Sequence, residues 1–229
     1  MLIHGLQKMT LLDYPEHVAC TVFLAGCDLR CPYCHNFELV DGTAEPVMDD
    51  TEFFSFLEKR HGLLDGVAIT GGEPLMRPDI DIFIKKIREM GYLIKLDTNG
   101  CHPERLSELL ERGLADYVAM DIKNSPTRYC VTSGVSNLNM ENIEKSVRII
   151  MDSAPDYEFR TTVVKELHNE ESFTKIGKWI KGAKAYYLQQ FVERDTVPDK
   201  ALTSPSEEEM ALFLDTVREY VPSAMIRGI

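Results

Sequence analysis

The feature that most constrains the fold is a regular alternation of apolar, β-branched runs with amphipathic runs, from residue 17 almost to the C-terminus. Six strands are predicted, the first over "HVACTVFLA" and the last over "AKAYYLQQF", and each is followed by a predicted helix. Such alternation requires parallel strands joined by right-handed crossovers. The pattern therefore predicts an α/β barrel or an open doubly wound sheet, without choosing between them.

The whole chain, residues 1–229, is predicted to form a single domain, because it has no linker rich in Pro, Gly or Ser and no repeat of solenoid period. Its expected parts are an N-terminal segment over residues 1–16, six strand and helix units over residues 17–221, and a C-terminal tail over residues 222–229.

Capping residues predict where two of the helices begin. Asp50 is the expected cap of the helix in "DDTEFFSFLEKRHG". Ser204 and Glu207 are expected to form a capping box at the start of the last helix.

The composition is that of an ordinary globular protein, with 44% hydrophobic and 27% charged residues. A formal net charge of −12 argues against a nucleic-acid groove or an anionic membrane surface, since both favour clustered Lys and Arg. The N-terminus has no basic run leading into an apolar core, so no secretory signal is expected and the predicted location is cytoplasmic. In that reducing compartment the six cysteines are expected to be metal ligands, catalytic groups or core residues rather than disulfides.

A loop after the first predicted strand holds three cysteines within eight positions: Cys27, Cys31 and Cys34. Thiolates so close together favour zinc or an iron–sulfur cluster. A structural zinc usually has four ligands, so zinc would have to recruit His35, Cys20 or Cys101. A four-iron cluster held by three cysteines keeps one iron free for a small ligand. The spacing favours the cluster over zinc and over unpaired structural cysteines.

Polar and glycine-rich motifs follow the next three strands: "TGGEP", "DTNG" and "DIKN". Parallel α/β folds build their sites at this carboxyl edge. Gly71 and Gly72 would let backbone groups approach a ligand, and Glu73 offers a carboxylate to a cation such as an ammonium. Four further polar residues stand at later strand ends: Asp97, Asn99, Asp121 and Lys123. Each alone is more often a turn or surface residue, but together they indicate a polar, charged ligand.

These motifs resemble a known family. "CDLRCPYCHN" is similar to the cysteine signature of radical S-adenosylmethionine (SAM) enzymes, and the trailing His35 and Asn36 are typical of activases of glycyl-radical enzymes. The ordered "GGEP", "DTNG" and "DIK" strengthen the resemblance, which covers essentially the whole chain. The opening "GLQKMTLLDYPEHVACTVFLAGC" is most similar to the anaerobic ribonucleoside-triphosphate reductase activating proteins.

The resemblance implies a partial (β/α)6 barrel that binds a [4Fe-4S] cluster through the three loop cysteines, with the free iron chelating the amino and carboxylate groups of SAM. It places Gly71, Gly72 and Glu73 at the methionyl ammonium and Tyr33 beside the adenine. It assigns further cofactor contacts to His35, Asn36, Asp97, Asn99, Asp121 and Lys123. It also places Asp97, Thr98 and Asp121 around a monovalent cation beside the cofactor.

The implied reaction is reductive cleavage of SAM to a 5′-deoxyadenosyl radical, which takes a hydrogen atom from a glycine of a partner glycyl-radical enzyme, here anaerobic ribonucleotide reductase. Cys101 and Cys130 are isolated in the sequence, so no inserted ferredoxin domain is expected. Electrons should therefore come from an external donor such as flavodoxin or ferredoxin. No nucleic-acid or membrane partner is expected.

Two departures from the family pattern are visible. Related activases often have histidine after the sixth strand, where this chain has Gln190 and Phe191, and many have glycine where this chain has Glu16. Three alternatives stay open: a radical SAM enzyme acting on a small molecule in the manner of deazaguanine synthases, an activase of a formate-lyase-type enzyme, and a non-catalytic zinc or electron-transfer module.

Overall fold

A computed structural model describes residues 1–228 of the chain. These residues form ten strands: β1 Leu2–Ile3, β2 Gly5–Thr10, β3 Ala19–Leu24, β4 Met48–Asp49, β5 Gly66–Gly71, β6 Leu93–Thr98, β7 Tyr117–Asp121, β8 Asp156–Val163, β9 Tyr186–Gln190 and β10 Met225–Arg227. They also form eight α-helices: α1 Phe37–Asp41, α2 Asp50–Glu58, α3 Ile80–Glu89, α4 Pro103–Glu111, α5 Tyr129–Ser133, α6 Met140–Ser153, α7 Glu170–Trp179 and α8 Glu207–Arg218. Among the described residues, no helix combines the length and apolar character needed to cross a membrane.

The predicted α/β architecture is confirmed. The six predicted strands are β3 and β5 to β9, and each pairs in parallel with the next. The eight-stranded sheet has the order β10-β9-β8-β7-β6-β5-β3-β2, so β3 and β9 are not neighbours and the barrel is partial. Two hydrogen bonds join the loops after these two strands: His35 Nε2 to the Val192 carbonyl at 2.7 Å, and Asp199 N–H to the Pro32 carbonyl at 3.0 Å.

Both chain ends contribute strands that the sequence pattern did not predict. In the N-terminal segment, β2 pairs antiparallel with β3, and in the C-terminal tail β10 pairs parallel with β9. The physical reason is that the outermost strands of a six-stranded parallel sheet leave a row of backbone groups unpaired. The two end segments satisfy those groups at opposite edges of the sheet.

The two expected helix caps are each wrong by one or two residues. Asp49, not Asp50, caps α2 in a capping box with Glu52, whereas the Asp50 carboxylate pairs with the N-terminal ammonium at 3.0 Å. The box of α8 is formed by Ser206 and Glu209, not by Ser204 and Glu207. The sequence "SPSEEE" offers two boxes of the same spacing, and the Ser204 hydroxyl is already bonded to the Phe191 carbonyl at 2.5 Å.

The parallel strands carry different chemistry on their two faces. In β6, Ile94 and Leu96 are fully buried in the core that also contains the helix residues Ile80 and Ile84. Because side chains alternate along a strand, Lys95 and Asp97 face the other way, into the barrel. Lys95 and Asp97 thus place charged groups inside the barrel, where a polar site can form.

Arg227 of β10 reaches the barrel interior and pairs with Glu158 of β8. The Arg227 Nη1 and Nη2 atoms donate to the two Glu158 oxygens at 2.9 Å each, and the Tyr117 hydroxyl donates to Glu158 Oε2 at 3.0 Å. Glu158 is fully buried. The C-terminal strand therefore neutralises a carboxylate that would otherwise be buried with its charge poorly compensated.

We expect Arg227→Ala to lower the free energy of unfolding by about 2–3 kcal/mol, because the buried Glu158 carboxylate loses two charged hydrogen bonds. The matched control is Arg112→Ala, which breaks an exposed pair with Asp81 and should cost less than about 1 kcal/mol. Anaerobic denaturant unfolding measures both values. Equal losses in the two variants would contradict the structural role of Arg227.

Glu16 is the only non-glycine residue among residues 1–228 with a positive φ, at 64°. A side chain costs roughly 1 kcal/mol in this left-handed region, which explains why glycine suits the same turn in related sequences.

We expect Glu16→Gly to raise the free energy of unfolding by up to about 1 kcal/mol, whereas Glu16→Ala should leave it near the wild-type value. Thermal and denaturant unfolding would detect the difference. A Glu16→Gly variant that is less stable than the wild type would show that the Glu16 backbone is not strained.

Candidate active site

A cavity of about 260 Å³ opens at the carboxyl edge of the parallel strands. The three loop cysteines line it, as does Thr98. Of the residues predicted to contact a cofactor, all but Glu73 line it: Tyr33, His35, Asn36, Gly71, Gly72, Asp97, Asn99, Asp121 and Lys123. The structure thus brings residues from a loop and three strand ends around one volume, while their contacts with a cofactor stay predictions.

The cysteine loop is fixed by its neighbours. Gly26 N–H donates to the Leu39 carbonyl at 2.8 Å, Arg30 N–H donates to the Ser133 carbonyl at 2.9 Å, and Arg30 Nη1 donates to the Cys27 carbonyl at 2.6 Å. Gly134 lies so close that a Cβ there would stand 2.0 Å from the Arg30 carbonyl oxygen. The loop backbone is therefore held before any metal binds.

The donor set suits an iron–sulfur cluster. Three thiols, those of Cys27, Cys31 and Cys34, line one open cavity. A four-iron cluster binds each thiolate at a different iron, and three thiolates leave one iron for a small ligand. Cys20, one candidate fourth zinc ligand, is fully buried in β3 and packs in the core cluster.

The glycine segment after β5 packs directly against the cysteine loop. Gly72 N–H donates to the Leu24 carbonyl at 2.8 Å, and Glu73 N–H donates to the Gly26 carbonyl at 2.6 Å. A Cβ on Gly72 would lie 2.0 Å from the Gly26 carbonyl oxygen, and a Cβ on Gly71 would lie 2.3 Å from the Leu24 carbonyl oxygen. Glycine is thus required here because two backbone segments meet, in addition to any approach of a ligand.

The Glu73 side chain, predicted to face a cofactor, is bonded within the protein. Its carboxylate is fully buried and accepts hydrogen bonds from Asn99 N–H at 2.6 Å, from the Thr98 hydroxyl at 2.9 Å and from Leu75 N–H at 3.1 Å. Burial raises the pKa of Glu73 to about 7, against the lowering effect of these donors. Glu73 thus joins the ends of β5 and β6, and its contact with a cofactor stays a prediction.

Two carboxylates on the cavity floor are paired with basic side chains. Arg160 Nε donates to Asp121 Oδ1 at 2.9 Å and Arg160 Nη1 donates to Asp97 Oδ2 at 3.3 Å. Lys123 Nζ adds a bond to Asp121 at 3.1 Å, and Lys95 pairs with Asp97. Burial alone would raise the pKa of Asp97, but Arg160 and Lys95 outweigh it and hold that pKa below its ordinary value.

The predicted monovalent cation site is therefore not supported by these contacts. Asp97 and Asp121 together carry two negative charges, and three basic side chains, Lys95, Lys123 and Arg160, already bond to them. The Thr98 hydroxyl donates to Glu73 and accepts from Gly100 N–H at 3.1 Å. The monovalent cation at Asp97, Thr98 and Asp121 stays a prediction.

His168 hydrogen-bonds to the backbone of Lys123. His168 Nδ1 accepts from Val164 N–H at 3.1 Å, and Nε2 donates to the Lys123 carbonyl at 2.9 Å. The Val164 carbonyl oxygen also lies 3.2 Å from Nδ1 and would favour a charged ring, but burial outweighs both carbonyls and lowers the pKa of His168, which favours the neutral ring. Burial also lowers the pKa of Lys123, but Asp121 outweighs that effect and raises it well above its ordinary value, so Lys123 stays charged.

Sequence reasoning missed several polar residues that line the cavity: Thr70, Arg160, Thr162 and Gln189. Gln189 of β9 lines the cavity, whereas the side chain of Gln190 donates to the Pro205 carbonyl at 2.8 Å. Phe191 stacks on His35 with ring centres 5.5 Å apart. The signal for Arg160 and Thr162 was available, because they alternate with apolar residues along β8.

Comparison with known proteins gives a consistent result. Residues 21–179 match the Radical SAM superfamily. A protein of Methanocaldococcus jannaschii, named provisionally as a glycyl-radical enzyme activating enzyme, is 32% identical over 100% of this chain and 96% of its own length. The pyruvate formate-lyase-activating enzyme of Clostridium pasteurianum is 36% identical over 53% of this chain and 52% of its own length.

The fold matches solved structures as well. SuiB of Streptococcus suis bound to S-adenosylmethionine superimposes with a TM-score of 0.70, covering 91% of this chain and 52% of SuiB. The sequences are 13% identical, so this likeness concerns the fold alone.

The neutral His168 predicts a pH dependence of stability. Because the folded-state pKa lies below 6.5, the ordinary histidine value, the stabilisation is present above pH 6.5 and is lost as the pH falls below it. The loss should be up to about 1.4 kcal/mol per pH unit while the folded ring stays neutral. His168→Gln should remove this part of the pH dependence. Denaturant unfolding between pH 5 and 8 compares the two proteins, and parallel pH profiles would contradict the assignment.

Proposed function

Because the chain belongs to the radical SAM superfamily, we propose that it is an activating enzyme that generates a glycyl radical on a partner protein. The chain is an enzyme that uses a [4Fe-4S] cluster and S-adenosylmethionine. The observation that carries the proposal is a three-cysteine loop on an open, charged cavity, in a chain whose whole length matches a protein named as such an activase.

In this proposal Cys27, Cys31 and Cys34 bind the cluster. Burial raises the pKa of Cys27 to about 11 and raises that of Cys31 and Cys34. The metal-free thiols are therefore protonated at neutral pH, and each releases its proton on binding iron. His35 and Asn36 follow the last of these cysteines and line the same cavity.

The remaining cavity residues would hold S-adenosylmethionine. The Tyr33 hydroxyl is buried without a hydrogen-bond partner among residues 1–228, which leaves a polar group available to a ligand. Lys123 and Arg160 line the cavity and offer N–H donors that suit a carboxylate ligand. Gly71, Gly72, Asn99, Asp121 and Lys123 lie around the same volume. Together the cluster and S-adenosylmethionine supply the radical chemistry, while the barrel orients them and excludes water.

The finer proposal is that the partner is anaerobic ribonucleotide reductase. Its support is the similarity of the N-terminal stretch over residues 5–27 to the activating proteins of that enzyme. We also propose an external electron donor such as flavodoxin or ferredoxin. Cys101 and Cys130 are both free thiols, and neither lies in the cysteine loop.

The test uses protein purified and reconstituted without oxygen, together with the anaerobic ribonucleotide reductase of the same organism. With a reductant and S-adenosylmethionine, 5′-deoxyadenosine should be released, and electron paramagnetic resonance should detect an organic radical on the reductase. If the radical forms on a formate-lyase-type protein instead, the proposed reaction stands and the proposed partner is wrong. Cleavage that produces no radical on either protein would favour a small-molecule substrate.

Cys31→Ala should reduce both cluster iron content and 5′-deoxyadenosine release to background, because the cluster loses one of three thiolates. Cys130→Ala is the matched control, since Cys130 is a free cysteine outside the loop, and it should keep wild-type iron content. A colourless, fully folded zinc protein, or full activity in Cys31→Ala, would refute the assignment.

A further inference from the structure

Asn99 points its side-chain amide at one of the loop cysteines. The Asn99 Nδ2 atom lies 3.7 Å from Cys27 Sγ, within hydrogen-bonding range for a sulfur acceptor. Asn99 is 5% exposed, so water does not compete freely for this donor. The contact joins the end of β6 to the loop after β3, across 72 positions of sequence.

The orientation of the Asn99 side-chain amide is fixed by a hydrogen bond to its oxygen atom. Asn99 Oδ1 accepts from Cys101 N–H at 2.9 Å. A rotation that exchanged the oxygen and nitrogen would place two N–H groups against each other at Cys101, so the NH₂ end must face Cys27. The Asn99 backbone is held as well, since its N–H donates to Glu73 Oε2 at 2.6 Å.

We propose that Asn99 raises the reduction potential of the cluster by donating a hydrogen bond to the Cys27 thiolate. This inference rests on the proposed function only in that a cluster binds Cys27. A donor at a ligating sulfur stabilises negative charge there, and the reduced cluster carries one more electron than the oxidised one. The bond is therefore stronger in the reduced state. One electron enters from an external reductant, the N–H proton stays on Asn99, and no covalent bond forms or breaks.

Asn99 reaches Cys27 through its side chain alone. Its contribution can therefore be varied by substitution while the sequence of the cysteine loop stays unchanged. Its consequence is that a donor of moderate potential reduces the cluster more completely than it would without Asn99.

The experiment is a redox titration of the reconstituted protein without S-adenosylmethionine, using titanium(III) citrate and mediators and reading the reduced cluster by electron paramagnetic resonance. Asn99→Ser keeps an oxygen that can accept from Cys101 N–H but is too short to reach Cys27. At the wild-type midpoint, we expect the ratio of reduced to oxidised cluster to fall about tenfold in this variant, as for the loss of one hydrogen bond to a charged group. Tenfold equals a shift of about 59 mV to lower potential for a one-electron couple.

Two further variants complete the test. Asn99→Asp keeps the oxygen and loses the donor, and its negative charge should lower the potential further than serine does. Asn142→Ser is the control, because the Asn142 amide donates to the Cys101 carbonyl at 3.1 Å, next to the same turn, and it should keep the wild-type potential.

An unchanged potential in Asn99→Ser with an intact cluster would overturn the inference, even if S-adenosylmethionine binding weakened, because Asn99 would then be a ligand contact only. Loss of the cluster in both Asn99 variants would also overturn it, since Asn99 would be needed for assembly and not for tuning. Failure of the wild-type protein to bind a cluster would instead refute the proposed function.

Discussion

The contact between the glycine segment and the cysteine loop is the constraint on which the candidate site depends. Gly72 and Gly26 approach so closely that neither backbone can move without the other, and the Glu73 N–H fixes their alignment through a 2.6 Å hydrogen bond. The Glu73 carboxylate then extends the alignment to Thr98 and Asn99 at the next strand end. A chain of short backbone and carboxylate bonds thus sets the cysteines in register with two strands.

A second constraint is the polar interior of the barrel. Two inward-facing carboxylates are compensated by basic side chains: Asp97 by Lys95 of its own strand and by Arg160 of β8, and Asp121 by Arg160 and by Lys123, which follows β7. Below them Glu158 is compensated by Arg227, from the last strand. Because a buried charge without a partner is costly, the ordering of the floor depends on the C-terminal strand as much as on the residues that line the cavity.

The sequence predicted the parts of this structure that depend on local pattern. Strand and helix alternation fixes the α/β class, and the motifs at the strand ends place Cys27, Asp97 and Lys123 around one cavity. It did not predict the role of Glu73, because the three donors that satisfy its carboxylate are known only once β5 and β6 are aligned. The capping box was misplaced because two equivalent serine and glutamate pairs exist, and tertiary contacts of Ser204 decide between them. Arg160 was missed because it lies within β8, away from the motifs that follow the strands.

The distribution of charge explains why bulk composition gave no indication of the site. The whole chain carries a formal net charge of −12, yet the charged side chains that line the cavity are two carboxylates, Asp97 and Asp121, and two cations, Lys123 and Arg160. The acidic excess lies largely on the water-facing surface, where it is screened over about 8–10 Å by salt. The charged groups around the cavity are largely buried, so salt screens them less than it screens the surface charges. Three thiolates and a ligand carboxylate would bring negative charge to this volume, and the cations of Lys95, Lys123 and Arg160 are the groups that offset it.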